Sequence, residues 1–175
     1  MAVIIDASCI PLVFSKKNSG HEEFAPVLKW IMSQNGVMVY GGSTYEKELS
    51  KLSKYLKIIR FLREIDKVIV GNKKKIDQLE NEVEKKVSDK DFDDPHLVGI
   101  VIDTKCRVIC SEDARSVKFV KRADLYPKRV CVPVYYTGSG NSDLLTEKYI
   151  DDSLKPLCKI NKSTRKAVSK LLSNL

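Results

Sequence analysis

The chain opens with Val3-Ile4-Ile5-Asp6-Ala7-Ser8, and the first four of these residues decide the fold. A short, unbroken apolar run has no polar alternation. It reads as a strand buried on both faces, as in a parallel sheet. Asp6 then stands at the carboxyl edge of that sheet. The pattern recurs at Val37-Met38-Val39-Tyr40, broken by Gly41-Gly42, and at Lys67-Val68-Ile69-Val70, closed by Gly71-Asn72. It returns at Arg107-Val108-Ile109-Cys110, which runs into Ser111-Glu112-Asp113. Arg129 to Tyr136 predicts a last strand, where Pro133 argues for an edge or a bulge. One of Tyr135 and Tyr136 is expected to pack inward and the other to be free to stack on a base.

Helical patterns separate these runs. Phe24, Val27, Leu28, Ile31 and Met32 sit at helical spacing before Asn35-Gly36 stops them. Ser43 or Thr44 is expected to cap one amphipathic helix carrying Tyr45, Leu49, Leu52, Leu56 and Ile59. Ile76, Leu79, Val83 and Val87 draw a thin apolar stripe through residues 73–87, an extra polar helix at the edge of the body. Asp94-Pro95 marks a helix start and settles His96 to Thr104 as helix. Another helix follows Asp113, to about Arg122. Thr137 to Ser142 is a glycine-rich loop without the Lys-Ser/Thr of a phosphate-binding loop. Residues 163–175 form a basic amphipathic helix. Alternating strands and helices predict an α/β fold, a three-layer sandwich around a central, mostly parallel sheet, in one domain spanning residues 1–175.

Composition narrows the function. With 175 residues, 43% hydrophobic and 31% charged, the chain is neither disordered nor collagen-like. It can bury a core without disulfides or structural metal. Thirty-one Lys and Arg against 23 Asp and Glu leave a net charge of +8, which favours polyanionic partners. No apolar run is long enough to span a membrane, and the N-terminus lacks the basic region of a signal peptide. Five cysteines, none in a C-x-x-C pair, predict a reducing cytoplasm and mostly buried thiols. Cys106, Cys110 and His96 lack the paired spacing of a zinc site. His96 reads as a packed or surface histidine.

In a parallel sheet the functional crevice lies at the carboxyl ends of the strands. Asp6, Glu48, Asp94 and Asp113 all fall at or near that edge. Four carboxylates brought together repel one another, so the cluster calls for a cation. All-oxygen ligands suit Mg²⁺ or Mn²⁺. Ions held this way can activate water and stabilise the leaving oxygen in phosphodiester cleavage. Acids are dense here: Glu46 could stand in for Glu48, and Asp91 or Asp93 for Asp94.

These residues resemble PIN-domain nucleases. Val3-Ile4-Ile5-Asp6-Ala7-Ser8 is similar to that family's first strand and first acid, with a hydroxyl residue two places on. Thr44-Tyr45-Glu46-Lys47-Glu48-Leu49 resembles its Glu-bearing helix, and Asp93-Asp94-Pro95-His96-Leu97 the opening of its third acidic helix. Cys110-Ser111-Glu112-Asp113 resembles the strand end in which a hydroxyl residue precedes the fourth acid by two. The likeness covers residues 1 to about 125. It implies a metal-dependent nuclease, preferring RNA, with Asp6, Glu48, Asp94 and Asp113 as catalytic metal ligands. Ser8 and Ser111 would orient them. A toxin–antitoxin ribonuclease is the setting it suggests. The excess of basic residues would suit an acidic protein inhibitor as well as nucleic acid, and a homodimer is a further expectation. Nucleic-acid contacts are expected from Lys51, Lys54, Lys57 and Arg60 along one helix and from Lys162, Arg165 and Lys166 along the last. The competing expectation is a catalytically silent module of the same fold that binds nucleic acid or an acidic protein. A haloacid-dehalogenase-type phosphatase would need a second Asp where Ser8 stands.

Overall fold

The computed structural model describes residues 2–33, 35–149, 154 and 160–175. Five strands form one sheet: β1 (Ala2–Ile5), β2 (Val37–Tyr40), β3 (Val68–Val70), β4 (Val108–Cys110) and β5 (Val134–Tyr136), in the order β3-β2-β1-β4-β5. Every pairing is parallel. Helices flank this sheet, so the expected α/β sandwich is the fold. Strand β1 is central, and all four of its residues are fully buried. That is why it reads as an unbroken apolar run.

The helices are α1 (Ile10–Phe14), α2 (His21–Ile31), α3 (Ser43–Lys51), α4 (Ser53–Glu64), α5 (Lys73–Lys86), α6 (Pro95–Thr104), α7 (Ala114–Val120) and α8 (Lys162–Leu172). The single helix expected after β2 is two. Leu52 leaves helical geometry at ψ 47°, and the buried stripe slips at the break. Tyr45 and Leu49 face inward before it, Tyr55, Ile58, Ile59 and Leu62 after it, while Leu52 and Leu56 are only half-buried. Lys51 therefore ends α3, apart from Lys54, Lys57 and Arg60 on α4. The expected cap is also corrected. Gly42, at φ 84°, holds the N-cap position. Ser43 and Thr44 instead donate to α5, Ser43 Oγ to Asp77 at 2.6 Å and Thr44 Oγ1 to Glu80 at 2.6 Å.

Those bonds fasten α5 against α3, and α5 packs along α6. Ile76 is the plug. A Cβ on Gly41 or Gly71 would come within 2.7 Å of its Cδ1, and one on Gly99 would meet its carbonyl oxygen at 3.0 Å. Ile76→Ala is expected to cost about 3 kcal/mol, as a buried aliphatic truncation whose rigid glycine socket cannot collapse. Urea unfolding of the variant measures it.

Pro133 lies just ahead of β5, so that edge strand is three residues long rather than eight. Both Tyr135 and Tyr136 are buried, and neither is free to stack on a base. Residues of the expected glycine-rich loop form part of a 3₁₀ turn, Ser139–Leu144. Cys9, Cys106 and Cys110 are buried and unpaired, Cys131 is exposed and unpaired, and Cys158 lies outside the described residues. Among the described residues no helix is long and apolar enough to cross a membrane.

Candidate metal centre

The strand order reverses direction at β1. The chain steps from β1 outward to β2 and β3, then crosses back to place β4 on the other side. A crevice opens at such a switch point, beyond the carboxyl ends of the two strands. Here it is a cleft of about 580 Å³ lined by Asp6, Glu48, Asp93, Asp94, Asp113 and Lys51, among others.

Asp6 follows β1 directly. Its Oδ2 accepts a 2.7 Å hydrogen bond from Ser111 Oγ, and its Oδ1 accepts one from the Ser8 backbone N–H at 3.2 Å. Ser111 is buried at the end of β4, and its Oγ also accepts from the Asp113 N–H at 3.0 Å. One hydroxyl thus ties the first acid to the loop of the last. The orienting role expected of Ser111 has a geometric basis. Ser8 acts through its backbone, while its exposed hydroxyl makes, among the described residues, only a 3.9 Å contact with Cys9 Sγ.

Glu48 is placed by α3. The Tyr45 hydroxyl, fully buried, donates to the Ile5 carbonyl at the end of β1. Glu48 lies three residues on, the same helical face, and so meets the cleft. Glu46 points elsewhere and pairs with Lys73 on α5 at 2.6 Å. At the start of α6, Asp94 holds the N-cap position, yet its side chain makes no cap bond; it lines the cleft instead. Asp93 lines it too, while Asp91 is exposed and does not. Asp93, Asp94 and Asp113 each offer a carboxylate oxygen within 4.8 Å of the others. An acidic group able to hold a metal ion is therefore present. Its tightest part includes Asp93, with Asp6 and Glu48 on the surrounding wall.

The electrostatics follow from this crowding. Burial, then the charges of Asp6, Asp93, Glu48 and Asp113, pushes the Asp94 carboxyl up to about 7. Burial and Asp6 raise Glu48 as well. Asp113 goes the other way. It accepts from Arg115 Nε at 3.1 Å and Arg115 Nη2 at 2.8 Å, and from the Arg115 backbone N–H at 2.8 Å, which holds it below the usual carboxylate range.

Arg115 carries no sequence signal as a site member. His96 is packed, as expected: it is only 1% exposed, and both ring nitrogens lack a hydrogen-bond partner among the described residues. Its Nε2 lies 3.6 Å from Glu48, too far for a hydrogen bond, and burial drives its pKa down to about 4. It is a neutral imidazole beside the cleft, packed edge-on to Tyr45.

The basic residues lie off this edge, Lys51 excepted. Lys54 sits over the Tyr55 ring. Lys57 and Arg60 line a shallow groove with Leu171 of α8. Lys162, Arg165 and Lys166 are exposed on α8, which packs on α4 and buries Val168. Compared with protein-family models, curated proteins and solved structures, the chain matches none.

Proposed function

We propose that this protein is a divalent-metal-dependent nuclease, an endonuclease that cleaves RNA. The observation that carries the proposal is the convergence of Asp93, Asp94 and Asp113, with Asp6 and Glu48 beside them, in an open cleft at the switch point of a parallel sheet. The donors are all hard oxygens, which fits Mg²⁺ or Mn²⁺ and excludes a thiolate-type zinc site. Burial and its acidic neighbours push Asp94 up to about 7, so a proton shares it at neutral pH; a divalent cation would favour the ionised form instead. When bound, such an ion lowers the pKa of water and stabilises developing charge on phosphate oxygens.

The residues divide the remaining work. Asp6 is held by Ser111 and the Ser8 N–H, so its position is set before any ligand arrives. Asp94, Asp93, Asp113 and Glu48 complete the anionic wall. Lys51 on the cleft wall would meet a phosphate at the acids, while Lys54, Lys57, Arg60 and the exposed lysines and arginine of α8 would hold nucleic acid away from that edge. The preference for RNA and the toxin–antitoxin setting come from the resemblance to PIN-domain nucleases.

The test is incubation of mixed pools of RNA and single-stranded DNA with Mn²⁺, Mg²⁺ or EDTA, followed by end sequencing. RNA ends that appear with either ion and vanish with EDTA are expected. Intact pools in every condition would leave the non-catalytic binding module as the better account. Binding is expected to fall with salt, with a log–log slope of about −0.7 per phosphate neutralised on a single strand. Changing Lys51, Lys54 and Lys57 together to Ala should flatten that slope, measured by fluorescence anisotropy. A slope near zero in the parent would point to an acidic protein partner.

A further inference from the structure

Among the described residues, Arg115 is the one cationic side chain paired with the converging acids themselves. Both oxygens of Asp113 are taken by it, and its Nη2 lies 3.6 Å from Asp93 Oδ2. A cation drawing an oxygen from Asp113 must therefore compete with a guanidinium already there. The pair is nevertheless easy to part. The Arg115 side chain is 68% exposed, and an exposed ion pair is weak because water and salt screen it. Its backbone N–H, fixed on Asp113, leaves the side chain free to swing from a set pivot.

We propose that Arg115 is a displaceable counter-cation of the acidic cleft. Without metal it neutralises Asp113 and Asp93; with metal in place it turns to a phosphodiester oxygen of the bound nucleic acid. The inference rests on the metal-site reading above. Guanidinium chemistry suits both states, since its planar fork of donors matches carboxylate and phosphate alike. A divalent ion would repel it from the carboxylates; Asp91, whose charge also reaches it, is exposed and hydrated, and a substrate phosphate is the anion its forked donors match. Lys51 lines the same cleft, so a phosphate there meets a cation on two walls. Metal binding and nucleic-acid binding are thereby linked through one side chain, and linkage makes the coupling reciprocal.

The test uses the full chain and two variants, Arg115→Gln and Arg122→Gln. Arg122 pairs with Asp124 in the same two-residue, two-bond arrangement, but neither residue lines the cleft. Mn²⁺ affinity is measured by calorimetry. Affinity for a short phosphorothioate single-stranded RNA in millimolar Mn²⁺ is measured by anisotropy. Arg115→Gln should bind Mn²⁺ about fivefold more tightly, because a competitor has gone, yet bind the RNA about tenfold more weakly. Arg122→Gln should leave Mn²⁺ affinity alone and weaken RNA binding far less. Opposite shifts in one variant are not what a merely structural residue produces. Unchanged or weaker Mn²⁺ binding by Arg115→Gln would overturn the competition, and RNA binding lowered no more than in Arg122→Gln would overturn the phosphate contact. If the parent binds no Mn²⁺, the metal reading itself fails; if the parent binds it and the variant behaves like the control, only the role of Arg115 falls.

Discussion

Asp94→Asn is expected to raise the melting temperature of the metal-free protein near pH 7.5, by about 5 °C. The sign follows from linkage. Asp94 is pushed up to about 7 in the folded state, against about 3.9 for an unfolded aspartate. Between those values the folded protein binds the extra proton, so the contribution of Asp94 to stability falls as pH rises from about 4 through about 7. Asparagine keeps the shape and removes the charge. Because the Asp94 side chain makes no cap bond, nothing offsets the gain. The difference in melting temperature between variant and parent, in EDTA, should therefore be small near pH 4.5 and grow toward pH 8. Asp113→Asn should do the opposite. Its folded pKa is held down by Arg115, so it contributes stability above the unfolded value that is lost as pH falls through the folded one. The amide oxygen can still cap α7, but the ion pair with Arg115 is lost. A parent and Asp94→Asn pair with parallel pH–stability curves would show that the cleft stores no repulsion.

Asp6→Asn should lower RNA cleavage by at least about a hundredfold while leaving the fold intact. The amide oxygen can still accept from the Ser8 N–H. The amide nitrogen can donate to Ser111 Oγ, which has a second lone pair for the Asp113 N–H. Structure is thus retained and one hard anionic ligand is lost. Initial rates in Mn²⁺, with circular dichroism on the same preparation, check both halves. A well-folded Asp6→Asn protein that cleaves at the parent rate would remove Asp6 from the site.

The strands were legible because a parallel sheet covers both faces of β1, β2 and β4, and doubly buried strands are apolar throughout. The helix break at Leu52 was not. No glycine or proline marks it, and the stripe before and after it is continuous in sequence while slipped in space. Helix α1 leaves no signature in the sequence because five residues are too few to display a period. Glu48 could be told from Glu46 once the face of α3 was known, since side chains two apart on a helix point apart. Asp93 and Asp94 could not be ranked, because the residues entering a helix follow no fixed period, and both reach the cleft. Arg115 reaches back to an acid two places earlier, a contact that leaves no pattern in the chain. The polar helix at residues 73–87 looked peripheral because its buried seam is thin. The glycines that receive Ile76 come from three separate stretches and meet only in the folded chain.

Everything functional here depends on whether the acids share a cation. Calorimetric titration of the parent and of Asp94→Asn with Mn²⁺, at neutral pH and on the same day's protein, asks that directly. Saturable binding by the parent is expected, with protons released as Asp94 ionises, and binding at least about tenfold weaker by the variant. Saturable binding of equal strength in both proteins, or no binding by the parent at millimolar Mn²⁺, would contradict it.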